Sequence, residues 1–113
     1  MVETTNMFDN LNVAIVASDA DFKITYANDR CKKLFKEMLD SENFVGNDLG
    51  DCHQPETMEK IKILYQEFKE RKKKLSYYTE DVPEGKLTLV SVPFYDGDDF
   101  AGAVEFIFES SLA

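Results

Sequence analysis

The stretch Pro55-Glu56-Thr57-Met58-Glu59-Lys60-Ile61-Lys62-Ile63-Leu64-Tyr65-Gln66-Glu67-Phe68 decides how the rest of the chain is read. Met58, Ile61, Leu64, Tyr65 and Phe68 recur at helical spacing, which gathers them along one side of a helix. The opposite side is charged, so the helix buries one face only. Pro55 stands where a first helical turn tolerates proline, and Glu56 and Glu59 lie near the positive end of the helix dipole. A one-sided helix running from Pro55 to about Lys72 needs an apolar surface to lie on.

Downstream the period changes. Lys74–Glu80 is rich in strand formers, and Asp81-Val82-Pro83-Glu84-Gly85 supplies a turn. Lys86–Tyr95 reads as a second strand, and Asp96-Gly97-Asp98-Asp99 as a tight hairpin turn. A third strand alternates: Phe100, Gly102, Val104, Phe106 and Phe108 share one face, and Ala101, Ala103, Glu105, Ile107 and Glu109 the other. Alternation alone does not say which set points inward.

Upstream, residues 2–11 suit a short N-terminal helix or arm, leaving residues 12–113 as a single domain. Residues 12–18 form an apolar run with the character of a strand buried on both faces, ended by an acidic turn at Asp19-Ala20-Asp21. Phe22–Ala27 alternates like a half-buried strand, which makes the pair a hairpin. Asn28-Asp29 then caps a helix with Cys31, Leu34, Phe35 and Met38 on its apolar side. Residues 40–54 are irregular, with a short helical turn expected at Asp40-Ser41-Glu42. Strands at both ends with helices between them predict an α+β fold, with one five-stranded antiparallel sheet and the helices packed on one face.

Composition narrows the function classes. Apolar residues make up 43% of the 113, including nine Phe and five Tyr, enough for one core. No apolar run approaches the ~20 residues of a membrane-spanning helix. The N-terminus lacks the pattern of a signal peptide, so a cytoplasmic setting is expected. A formal charge of −9 argues against a nucleic-acid partner, since phosphates need a basic footprint. The basic run Lys69–Lys74 is read as a solvated complement to the helix C-terminus. Cys31 and Cys52 are too few and too irregularly spaced for a disulfide framework. No nucleophile elbow, phosphate-cradling glycine loop or zincin helix is present, so no enzyme is expected.

Several short motifs resemble the PAS family in the right order. Tyr26-Ala27-Asn28 is similar to the Tyr-x-Asn that ends the second PAS strand, and Gly46-Asn47-Asp48-Leu49 to the Gly-x-x-Leu ahead of the long helix. His53-Gln54-Pro55-Glu56 resembles the His-Pro-Glu/Asp opening of that helix, here with Gln54 inserted. Ser91-Val92-Pro93 and the Asp96-Gly97 turn fall where the last strands should. The resemblance covers residues 11–109 and implies a five-stranded antiparallel sheet with helices inserted between strands 2 and 3. It further implies a sensor of small molecules, light, redox state or oxygen that signals by dimerisation to an effector. The fold does not choose among these.

The resemblance also frames the site. A pocket between helices and sheet would be lined by Leu34, Met38, Ile61, Leu64, Tyr65 and Phe68 from the helices. The sheet would add Tyr78, Leu89, Val104 and Phe106, with Tyr65, Tyr78 or His53 orienting a guest. His53, the only histidine, has two readings: an axial haem ligand, or a residue that orders the start of the long helix by hydrogen bonding. Cys52 lacks the Asn-Cys-Arg-Phe-Leu-Gln setting of the flavin photosensors, which argues against flavin, and the spacing of Cys31 from Cys52-His53 argues against zinc. Two functions stay open. One is a sensor with a small apolar or haem-like ligand, signalling as a homodimer; the other is a ligand-free dimerisation module joined through residues 2–11 and the outer sheet face. No effector segment separates the last strand from Ala113, so output is expected through a larger sensor or a separate partner.

Overall fold

The computed structural model describes residues 4–39, 45–51, 53–83 and 85–109. Within them run α1 (Thr4–Asp9), β1 (Ala14–Asp19), β2 (Ile24–Ala27), α2 (Asp29–Leu39), a 3-10 turn (Leu49–Asp51), α3 (Pro55–Lys69), β3 (Ser76–Val82), β4 (Gly85–Asp96) and β5 (Asp99–Phe108). The strands form one antiparallel sheet ordered β2-β1-β5-β4-β3, so the two ends of the chain meet at its centre. The turn expected at Asp40-Ser41-Glu42 and the residue Cys52 lie outside the described residues.

Local chemistry accounts for each junction. Ala14, Ile15 and Val16 are buried and Ala17 partly so, as expected for a strand flanked by β2 and β5 with apolar residues on both faces. In the acidic turn, the Asp19 carboxylate accepts from the amides of Asp21 at 2.9 Å and Lys23 at 3.0 Å, closing an Asx turn. Asn28 is completely buried and begins α2, with its Oδ1 accepting from the Cys31 amide at 3.0 Å. Pro55 opens α3, and Gln54 before it makes no side-chain cap.

The end of α3 is tied to the sheet. Arg71 adopts a left-handed φ of 59° just past the helix, and its guanidinium stacks over the Tyr95 ring at 4.0 Å from the centroid. The Tyr95 hydroxyl donates to the Phe68 carbonyl at 2.7 Å. Lys72 and Lys73 reach Glu70 and Glu67 at 3.4 and 3.6 Å, which suits the solvated reading of that basic run. Between β4 and β5, Gly97 at φ +62° supplies the conformation that so tight a hairpin requires.

Register assigns the two faces. Ile107 pairs with Ala14 and Leu89, and all three belong to the main core cluster together with Val16, Leu34, Cys31 and Leu87. Residues directly opposite one another share a face, so Ala103, Glu105 and Ile107 of β5 face the helices. Phe106 pairs with Ile15 and Val90 on the other side, and Val104 follows the same alternation. The expectation that Phe106 and Val104 line a helix–sheet pocket is therefore corrected. Both project from the far face of the sheet.

A second cluster joins α3 to the sheet at Tyr65, Phe68 and Ala103, with Phe22, Ile61, Leu64 and Phe100 packed around it. The Phe22 ring stacks on Tyr65 at 4.9 Å, and Phe100 meets Tyr65 edge-on at 5.6 Å. The oily side of α3 thus lies on a sheet built from both ends of the chain. Among the described residues, no helix is long and apolar enough to cross a membrane.

Candidate functional site

The inner face of the sheet is apolar at its margins and polar near its middle. Glu105 sits on the central strand β5, flanked by Val16 of β1 and Ser91 of β4, and Ser91 in turn faces Ser76 of β3. The Ser91 hydroxyl donates to Glu105 Oε2 at 3.2 Å. The neighbouring row carries Ala14, Ile107, Leu89 and Tyr78, so the polar row borders an apolar one.

Electrostatics converge on Glu105. Burial raises its carboxyl above the ordinary range, and Glu80 adds to this, while the Ser91 hydrogen bond and the His53 ring pull it down. The Tyr78 hydroxyl is pushed up to about 12, first by burial and then by Glu105 and Glu80, although 53% of the residue's surface is open. Burial likewise raises Tyr65, against the pull of its hydrogen bond to the Ser18 hydroxyl. Cys31 is fully buried, and burial followed by Glu105 pushes its thiol up to about 12, so it behaves as a core residue with little thiolate character.

The residues singled out on sequence divide into groups. Leu34 and Leu89 sit in the main cluster. Ile61, Leu64, Tyr65 and Phe68 sit in the second. Tyr78 borders the first cluster from the edge strand, opposite Leu89. Met38 belongs to α2, but its side chain is outside the described ones. Phe106 stands apart on the far face. His53 is partly buried at the start of α3, and its Nδ1 donates to the Leu49 carbonyl at 2.7 Å. That contact joins the 3-10 turn to the residues ahead of the helix and fixes Nδ1 as the donor.

The PAS domain family profile matches residues 4–110. The chain belongs to the PAS domain family. Among solved structures, the C-terminal domain of a Streptococcus mutans protein is similar at a TM-score of 0.72 and 20% identity, with 89% of this chain and 78% of that one covered. The PAS domain of histidine kinase ThkA gives 0.63 and 22% over 88% of this chain and all (100%) of the other. The PAS domain of BvgS from Bordetella pertussis gives 0.67 and 14% over 90% and 79%. No curated protein matches the chain. At these identities the likeness concerns the fold, and the family is sensory rather than catalytic.

Two features of this PAS domain were not reached from its sequence. Glu105 was assigned to a face but not to a role, because an acidic residue in a strand ordinarily marks the solvent side. Its spacing between Ala103 and Ile107 was the available signal: an acid alternating with two small or apolar residues on one face of a central strand. Asn28 was read as a helix cap and part of a motif, yet its side chain also binds the backbone at Ile15, Phe8 and Val13. No spacing rule reveals contacts made across 13 to 20 residues of chain.

Proposed function

We propose that this PAS domain senses a small, largely apolar molecule held between α2, α3 and the inner face of the sheet, and signals through dimerisation. The observation that carries the reading is the polar row Glu105–Ser91 set beside apolar walls from Leu89 and Ile107. Ligand sites are mostly apolar with a few polar groups that orient the guest. A packed core would have no use for a carboxyl there.

Haem fits less well. An Nδ1 donating to a backbone carbonyl is the arrangement a haem-ligating histidine would use, but haem also carries two propionates. The inner face offers them the carboxyl of Glu105, with Glu80 close by, and among the described residues no lysine or arginine pairs with Glu105. The negative field near Glu105 disfavours an anionic guest.

Dimerisation has its own support. Val90, Val92, Phe94, Val104, Phe106 and Phe108 stand on the outer face of the sheet and all keep part of their surface open. An apolar sheet face of this kind is the form a self-complementary two-fold contact takes. The ligand-free module remains the second reading, favoured by this face alone.

Native mass spectrometry with an absorption spectrum of the purified protein tests both. A co-purifying mass without a Soret band is expected, on a dimer. Soret absorption that disappears in His53→Ala would restore haem. An empty dimer would leave only the second reading, and an empty monomer would remove both.

A further inference from the structure

A carboxyl on the helix-facing side of a central strand is a costly choice for structure alone. Replacing a buried ion by an apolar residue of similar volume is often neutral or stabilising. Glu105 nonetheless sits there, between Val16 and Ser91, with the Ser91 hydroxyl at 3.2 Å as its hydrogen-bond donor. The titratable groups that feel its charge are Tyr78 and Glu80 of β3, Cys31 of α2, Tyr65 of α3, and His53 ahead of α3. These supply hydroxyls, a thiol, a second carboxylate and one imidazole. None is a permanent cation. Part of the Glu105 surface remains open even though burial raises its carboxyl above the ordinary range.

We propose that Glu105 anchors an organic cation, a protonated amine or similar N–H-rich group on a compact apolar body, in the space between sheet and helices; the inference rests on the pocket reading above. An ammonium supplies a full counter-charge, where among the described residues only the Ser91 hydroxyl and the His53 ring favour the carboxylate. Charge-assisted hydrogen bonds are roughly twice as strong as neutral ones, and the Ser91 and Tyr78 hydroxyls offer further acceptors on the same face. Leu89 and Ile107 form the apolar floor for the body of the ligand. An anion of the same shape would meet Glu105 with Glu80 nearby and be rejected. A neutral alcohol would gain one ordinary hydrogen bond.

The experiment compares three probes with one body: 2-phenylethylammonium, 2-phenylethanol and phenylacetate. Each is titrated into 15N-labelled full chain near pH 7. The ammonium is expected to bind at least about tenfold tighter than the alcohol, shifting amides of β4 and β5, with phenylacetate weakest. Glu105→Gln keeps the shape and removes the charge, so it should bring the ammonium down to the affinity of the alcohol while alcohol binding persists. Glu105→Asp keeps the charge and should retain part of the preference, which guards against a Gln variant that fails to fold. Equal affinity for ammonium and alcohol, or a preference that survives Glu105→Gln, overturns the cation assignment and leaves the pocket standing. Absence of shifts with all three probes removes the pocket as well.

Discussion

Asn28 and Ile15 are locked to each other in both directions: the Ile15 amide donates to Asn28 Oδ1 at 2.9 Å, and the Asn28 amide donates to the Ile15 carbonyl at 3.0 Å. The same side chain donates through Nδ2 to the carbonyls of Phe8 at 3.0 Å and Val13 at 2.7 Å. One fully buried amide therefore joins the end of α1, the start of β1 and the first turn of α2. Asn28→Ala would strand several of these backbone groups away from water. Each such orphan costs about 1–3 kcal/mol, so a loss of about 3 kcal/mol or more is expected even with some rescue by water. Urea denaturation followed by circular dichroism measures it. A change under about 1 kcal/mol would mean that the backbone holds this junction without the side chain.

Phe68 and Leu64 separate the fully buried part of α3 from its margin. Phe68 has no exposed surface, while Leu64 is only partly covered. Phe68→Ala should therefore cost about 3–5 kcal/mol through lost transfer energy and the cavity it leaves. Leu64→Ala should cost nearer about 1–2 kcal/mol, below the about 2–5 of a fully buried leucine. Comparing the two denaturation midpoints at equal slope is the check. Equal losses would place Leu64 as deep as Phe68 and move the helix axis accordingly.

Much of the architecture was legible because periodicity and turn chemistry agreed. Met58, Tyr65 and Phe68 are the buried residues of α3, as their helical spacing predicts, and the Asp-Gly turn lies between β4 and β5. What alternation could not supply was direction. Both faces of β5 carry apolar residues, so Val104 and Phe106 were pocket candidates with the inward face left open, and the register of β5 against Ala14 and Leu89 turns Ala103, Glu105 and Ile107 inward. Phe100 rejoins the inner side near the irregularity at Phe94/Tyr95, which shifts the register beside it. A strand with apolar residues on both faces carries no internal mark of which face the helices cover. The candidate site inherits this ambiguity, since Glu105 becomes notable only once its face is known.

Gly102 shows how closely β1 and β5 approach. It has a φ of +150°, and a Cβ built there would lie 2.0 Å from the Ser18 carbonyl oxygen and 2.9 Å from the Asp19 Cα. Both obstacles are backbone, and neither rotates away. Gly102→Ala must therefore separate the central strand pair or refold the local backbone, and it should cost more than about 3 kcal/mol. Gly97→Ala, at φ +62° with open space around it, should cost only about 1 kcal/mol of backbone strain. Thermal unfolding of the two variants distinguishes a steric block from a conformational one. Similar melting temperatures would show that the β1–β5 contact relaxes easily.

Glu105 also makes stability depend on pH in a specific direction. Burial raises its carboxyl in the folded chain, while the unfolded chain titrates near the ordinary value of about 4.3. Between those two points the folded state holds a proton that the unfolded state has released, so stability falls as pH rises through the window. Below about pH 4 both states are protonated and the penalty vanishes. Above the raised value the full penalty is present, net of what the Ser91 hydrogen bond and the His53 ring return. Glu105→Gln removes the titration and keeps the shape. The variant should match the wild-type chain near pH 4 and exceed it near pH 7, with the gap opening between. Urea midpoints at four pH values measure this. A variant less stable than wild type by the same amount at every pH would show that the Glu105 carboxylate is fully compensated in the fold and leave no penalty for a ligand to relieve.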